Sequence, residues 1–190
     1  MAKKAHGTPL ALSDEMLSAL LEGRKKLTVR SISKREHSLW ETEDADGWPI
    51  YETNNERWVR VKPPYGPVGS YLWVRESYRI DDGNVIYKHR DDPENASCSA
   101  NWLPVVGMPE AHSRMKLIIT GYRFLPGIQL IKTRDIRADG YSSLLEDKQK
   151  SKLDVREQFA RAWNTRYRED WQKWEANPAA WITEFELETK

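Results

Sequence analysis

Between residues 13 and 30 the chain carries start and stop signals in close succession, and they restrict its fold more than any other stretch. Ser13 is a good helix N-cap, because its side-chain oxygen can accept a free N–H of the first turn. Asp14 and Glu15 suit the positive end of a helix. Leu12 and Leu17 have the spacing of a hydrophobic staple. Met16, Leu17, Leu20 and Leu21 form one apolar stripe, and Gly23 supplies a left-handed stop. Residues 27–32 then read as a strand. Alternation puts Leu27 and Val29 toward the core, and Thr28 and Arg30 toward solvent or a cleft. Extended backward, the same alternation puts Lys26, not Lys25, with Thr28 and Arg30; Lys25 joins them only if it lies in a turn before the strand.

The rest of the chain is less regular. Residues 33–60 are polar and rich in turn signals such as Asp46-Gly47 and Asn54-Asn55, with short strands or a hairpin around 48–51 and 57–61. The run PPYGPVG at 63–69 is a rigid turn by composition. It leads into a strand over 71–78 that is apolar on both faces at its start, as inside a barrel or under a helix. Further strands are predicted at 85–89 and at 115–120, the latter continuing toward 124, with a loop at 91–100. Residues 133–139 give one or two helical turns stopped by Gly140, and residues 141–152 are charged. Asp154 and Glu157 have capping-box spacing ahead of a stripe formed by Val155, Phe159, Ala162 and Trp163. Asn177-Pro178 ends a helix carrying Trp171 and Trp174. A last strand, 181–187, puts Trp181, Thr183, Phe185 and Leu187 on one face. This order is not a repeated βαβ pattern. It predicts an α+β fold built on a small mixed or antiparallel β-barrel. One domain over 1–190 is expected, with a polar insertion at about 33–60 and a charged helical segment at about 141–176.

Thirty basic and 29 acidic side chains leave a net charge of +1, which disfavours nonspecific wrapping of a long phosphate backbone. It leaves room for a local basic pocket. The single cysteine, Cys98, excludes an internal disulfide framework and a Cys-based zinc site, and it reads as a loop thiol. The four histidines lack metal-ligand spacing, so neither a metal nor a cofactor is expected. The first residues lack the apolar core of a secretory signal, and no apolar run approaches a membrane span. A cytoplasmic chain is expected.

Four segments, in order, carry a family resemblance. LSALLEGRKKLTVR at 17–30 resembles a helix followed by a GRKTxTxR-type strand, and PYGPVGSYLWVRE at 64–76 resembles a PYGxxGDxLWVRE element. WLP at 102–104 with SRMKLIIT at 113–120 forms the third, and FARAW at 159–163 with NPAAWITEF at 177–185 the fourth. Together they resemble the ASCH family of the PUA-like superfamily, in its phage-associated form. The resemblance implies a PUA-like barrel with flanking helices and a cleft for nucleic acid or nucleosides. Some ASCH proteins are small amidohydrolases that remove an acyl group from N4-acetylcytidine, using a Lys and a Thr of the basic strand and a Glu near the later short helix. The matching residues are Lys25, Thr28 and Asp139, with Asp139 one methylene shorter than Glu. Lys26 replaces a Thr of the pattern, and Ser70 replaces an Asp.

The same resemblance makes Arg24, Lys26, Arg30, Tyr65, Arg75 and Glu76 candidates for ligand contact. Thr28 would be the nucleophile, Lys25 the base if a low-dielectric cleft lowers its pKa, and Asp139 the group that orients Lys25 or shuttles a proton. Arg30 would hold a phosphate or a carbonyl oxygen. Tyr65 is a candidate for base stacking, whereas Trp73 reads as core. Arg75 and Glu76 read as cleft residues or as an ion pair at a strand end. Three functions stay open: a module binding RNA, DNA or a modified nucleoside; an amidohydrolase acting on N4-acylated cytidine; and a phage protein acting through a host protein partner.

Overall fold

The computed structural model describes residues 7–32, 40–43, 48–52, 57–88, 102–141 and 154–188. Its centre is a five-stranded mixed sheet in the order β1-β6-β9-β10-β2. The strands are β1 (Gly7–Ala11), β2 (Leu27–Ser31), β6 (Tyr71–Arg75), β9 (Lys116–Leu125) and β10 (Ala180–Leu187). β1 runs parallel to β6, and every other neighbour is antiparallel. β3 (Trp40–Glu43), β4 (Pro49–Glu52) and β5 (Trp58–Arg60) make a separate three-stranded antiparallel sheet within the polar insertion. β7 (Tyr78–Asp81) and β8 (Asn84–Tyr87) form a hairpin. Its two-residue turn uses Asp82 at φ 45° and Gly83 at φ 79°, the positive values such a turn requires.

One face of the large sheet is covered by α1 (Asp14–Leu21), whose Leu17 and Leu20 pack with Leu10, Leu72, Leu117, Ile119 and Phe185. Burying each such leucine contributes about 1.5–3 kcal/mol. The other face is covered by α2 (Thr133–Ala138) and α3 (Val155–Arg166). There Ile136, Val155, Phe159 and Trp163 pack on Leu27, Val29, Ala180 and Ile182. Leu27 and Val29 thus face the helical layer, as their alternation predicts. In β9 the register shifts opposite Glu184/Phe185, so Glu184 pairs with Gly121 and Phe185 with Ile119. This bulge changes the parity of β9. Leu117 and Ile119 before it, and Tyr122 after it, therefore pack against the same core.

Several expectations need correction. The fold is mixed α+β with a five-stranded mixed sheet; among the described residues no pairing joins β1 to β2, and closure into a barrel is not detected. Asp154 stands at the N-cap of α3, but its side chain makes no capping hydrogen bond, so the capping box is not formed. Trp171 and Trp174 lie in two short 3-10 turns, not a helix, and Asn177 at φ 50° ends them. The strand predicted over 71–78 ends at Arg75, and Tyr78 begins the hairpin. β1 was not foreseen. Cys98, the loop at 91–100 and most of the charged run at 141–152 lie outside the described residues. Among the described residues, no helix is long and apolar enough to cross a membrane.

Candidate functional site

Among the described residues, the two edge strands of the sheet, β1 and β2, border one cavity of about 610 Å³. Ala11 and Leu12 reach it from the end of β1, and Thr28 and Arg30 from β2. Ser13, Glu15 and Met16 contribute the first turn of α1. Ala162, Thr165 and Arg166 contribute the last turns of α3, and Lys25 and Tyr141 complete the lining.

Local backbone chemistry puts Lys25 there. α1 ends before Gly23, which takes φ 72°. The N–H groups of Arg24 and Lys25 both return to the Ala19 carbonyl at 2.9 Å, and the Lys26 N–H donates to the Ala138 carbonyl at 2.7 Å. Lys25 is thereby held in the turn between α1 and β2, before the strand begins at Leu27. The simple alternation that favours Lys26 fails for this reason. Lys26 is exposed and lines a different groove of about 580 Å³, beside Arg123, Arg134, Asp135, Glu184 and Glu186.

Asp139 reaches Lys25 because α2 stops abruptly. Gly140 follows at φ 102°, and a Cβ there would sit 3.1 Å from both the Ala19 Cβ and the Met16 Sδ. Glycine is needed for its backbone angle and for this close approach of the helix end to α1. The Lys25 ammonium donates to Asp139 Oδ1 in a short ion pair, and to the carbonyls of Leu27 and Asp139, each at 3.0 Å. Both side chains are almost wholly buried, at 3% and 2% exposure. Burial holds Lys25 below the ordinary lysine pKa; Asp139 opposes that effect, and the nearby Arg166 and Arg30 add to it. Asp139 Oδ2 is buried with no hydrogen-bond partner among the described residues.

Thr28 is buried beside Lys25 at the cavity wall. Its cross-strand partner on β10 is Thr183, whose buried hydroxyl also has no partner among the described residues. Arg30 Nε donates to the Tyr65 hydroxyl at 2.7 Å. Tyr65 itself is buried in the α1-side core, so its ring is not a free stacking platform. Burial, and next the charge of Asp139, push the Tyr141 hydroxyl up to about 12, so it stays protonated and able to donate. Arg166 Nη1 approaches the Val29 carbonyl at 3.4 Å, and the Tyr167 hydroxyl accepts the Ser31 N–H at 2.9 Å, which ties the end of α3 to β2.

Lys25, Thr28 and Arg30 therefore line one cavity, and Asp139 reaches it through its ion pair with Lys25. The other candidates do not line this cavity. Arg24 pairs with Glu22. Arg75 stacks over Trp73 at 4.6 Å. Glu76 is buried and takes two hydrogen bonds from Arg114, at 2.8 and 2.9 Å, which makes it an internal anchor. Sequence reasoning missed Tyr141, Arg166 and the first turn of α1. Ala162, Thr165 and Arg166 have the i, i+3, i+4 spacing of one helix face, but spacing alone does not say what that face meets. Among the described residues, no group of three or more His, Cys, Asp or Glu side chains is placed to hold a metal ion.

No family model matches the chain, and no curated protein matches it. Among solved structures it is similar to protein EF3133 from Enterococcus faecalis V583, whose crystal structure carries the family-model description DUF984. The TM-score is 0.46 at 12% identity, over 97% of this chain and 82% of that one.

Proposed function

We propose that the cavity binds a modified nucleoside and that Lys25, Thr28 and Asp139 hydrolyse an acyl group from the N4 position of a cytidine. One observation carries this reading: a desolvated lysine, held by a buried carboxylate, beside a threonine at the wall of a cavity in the size range of small-molecule sites. The near-neutral charge of the chain fits a small ligand better than a wrapped polymer.

The chemistry follows from the groups present. Neutral Lys25 takes the proton of the Thr28 hydroxyl as Oγ1 attacks the acyl carbon. The Tyr141 hydroxyl, a protonated donor on the cavity lining, is the group assigned to the oxyanion that forms. Collapse breaks the C–N bond, and the proton on Lys25 passes to the leaving N4 nitrogen. Water then attacks the Thr28 ester, gives a proton to Lys25, and releases the carboxylic acid as Thr28 regains its proton. Asp139 fixes Lys25 through Oδ1 throughout. A lowered lysine pKa raises the fraction of neutral base near pH 7.

A second reading is binding without turnover. It is favoured by the three acceptors around Nζ, which satisfy all three donors of a charged Lys25.

The test is incubation of the full chain with N4-acetylcytidine, with cytidine and acetate followed by chromatography. Hydrolysis that Thr28→Val abolishes supports the first reading. Saturable binding with no cytidine released sinks the first and supports the second. Absence of both sinks the nucleoside site and leaves a protein partner as the function to pursue.

A further inference from the structure

The two arginines that line the cavity, Arg30 and Arg166, differ from five others of the chain. Arg24, Arg79, Arg114, Arg123 and Arg134 each stand within ion-pair distance of a carboxylate. Arg30 and Arg166, the two that line the cavity, are in no ion pair among the described residues. Arg30 spends Nε on the Tyr65 hydroxyl, which fixes the plane of its guanidinium. Arg166 has only a long contact to the Val29 carbonyl.

The other charges at the cavity do not neutralise them. Lys25 is paired with Asp139. Glu15 is the single carboxylate residue among the lining side chains. Asp14, beside it in the first turn of α1, is 3.6 Å from Lys88. Among the described residues, two guanidinium groups, Arg30 half-buried and Arg166 exposed, thus share one cavity whose lining holds one carboxylate side chain, Glu15. Both also lie close enough to Lys25 to disfavour its charged form. Like charges in such a space repel, and a dianionic ligand group removes the repulsion. The planar fork of each guanidinium matches phosphate oxygens two at a time. The opening of α1 toward the same cavity, through Ser13 and Met16, adds to the positive potential there.

We infer that the ligand carries a phosphate held between Arg30 and Arg166, so that the occupant is a nucleoside monophosphate rather than a neutral nucleoside. The base identity rests on the reading given under Proposed function; the phosphate subsite rests on the two arginines alone.

The experiment is calorimetric titration of the full chain, at low and at moderate salt, with cytidine, cytidine 5′-monophosphate and inorganic phosphate. Wild type, Arg166→Gln and Arg30→Gln are compared. Arg166 is exposed at a helix end, so its variant folds even if the Arg30 variant does not. The monophosphate is expected to bind at least about tenfold tighter than cytidine at low salt. That preference shrinks as salt rises, and Arg166→Gln removes most of it. Phosphate binding that both substitutions abolish, with no binding of cytidine, upholds the subsite and sinks the nucleoside reading. Equal affinities for cytidine and its monophosphate in wild type overturn the inference and leave the nucleoside reading standing. A preference that survives both substitutions also overturns it. No binding of any of the three probes overturns both.

Discussion

α2 carries two aspartates, Asp135 within it and Asp139 at its end, and each is paired with a cation in a different way. Asp135 accepts two parallel hydrogen bonds from Arg123, at 2.8 and 3.1 Å, while Arg123 also holds Glu184 at 2.8 Å. Every oxygen of the Asp135 carboxylate is used, and Arg123 is 36% exposed. Burial works against its ionisation, yet the Arg123 guanidinium still holds the Asp135 carboxyl below its ordinary value. Asp139 uses one oxygen on Lys25 and leaves the other buried without a partner among the described residues. The first pair pins α2 to β9 and is complete. The second is incomplete, is closed to solvent, and borders a cavity. A buried polar group left unsatisfied carries a penalty of about 1–3 kcal/mol, and such strain is concentrated at sites that handle a ligand or a proton. We read Asp135 as structural and Asp139 as functional on that difference.

Exchanging each aspartate for asparagine sharpens the contrast, and the largest effect is expected at Asp139. Asp139→Asn should lower N4-acetylcytidine hydrolysis by about 10²–10⁴-fold, the range for losing a group in acid–base catalysis. It should also move the acidic limb of the pH–rate profile to lower pH, because Lys25 acts as a neutral base and Asp139 is what raises its pKa against burial. Asp135→Asn should leave turnover within about threefold while lowering stability by about 1–3 kcal/mol in denaturant titration. The reverse pattern would break the assignment.

Gly140→Ala comes next. The added methyl meets Ala19 and Met16, and its backbone angle of 102° is unfavourable for an L-residue. A loss of about 2–4 kcal/mol is expected, from left-handed strain together with overpacking, and thermal unfolding measures it. An unchanged melting temperature would mean that the end of α2 is not pressed against α1.

The two pairs also predict responses to pH of the same sign in separate windows. Asp135 has a depressed folded pKa, so its contribution is present above the ordinary value of 3.8 and is lost as pH falls through the lower folded value. Lys25 has a depressed folded pKa as a cation. The unfolded chain then binds the proton more tightly, and stability rises with pH between the lowered value and 10.5. Removing the ammonium with Lys25→Met should abolish the second slope and leave the first, as read from urea midpoints across pH. The smallest effect is expected at Thr183. Thr183→Val removes an unpartnered hydroxyl opposite Thr28 and should change turnover by no more than about fivefold, with Thr183→Ser restoring it.

The helix and strand that carry Lys25 and Thr28 were legible because local rules agree there: a cap, a stripe, a glycine stop and an alternating strand. The choice between Lys25 and Lys26 was not. It depends on a turn held by the Ala138 carbonyl, more than a hundred residues away in the chain. β1 escaped because Pro9 argues against a strand, and the structure accommodates it at an edge where one side of the strand needs no donor. The bulge in β9 is set by its pairing with β10, which no local pattern reports. Arg166 and Tyr141 reach the cavity only because α3 and the end of α2 fold back over the edge of β2.

The most direct measurement sets the two adjacent lysines against each other. Cytidine release from N4-acetylcytidine is followed for wild type, Lys25→Met and Lys26→Met at equal protein concentration. Wild type and Lys26→Met are predicted to turn over at similar rates, and Lys25→Met to fall to background. Turnover that survives Lys25→Met and vanishes in Lys26→Met, or no cytidine from the wild-type chain, would contradict the account.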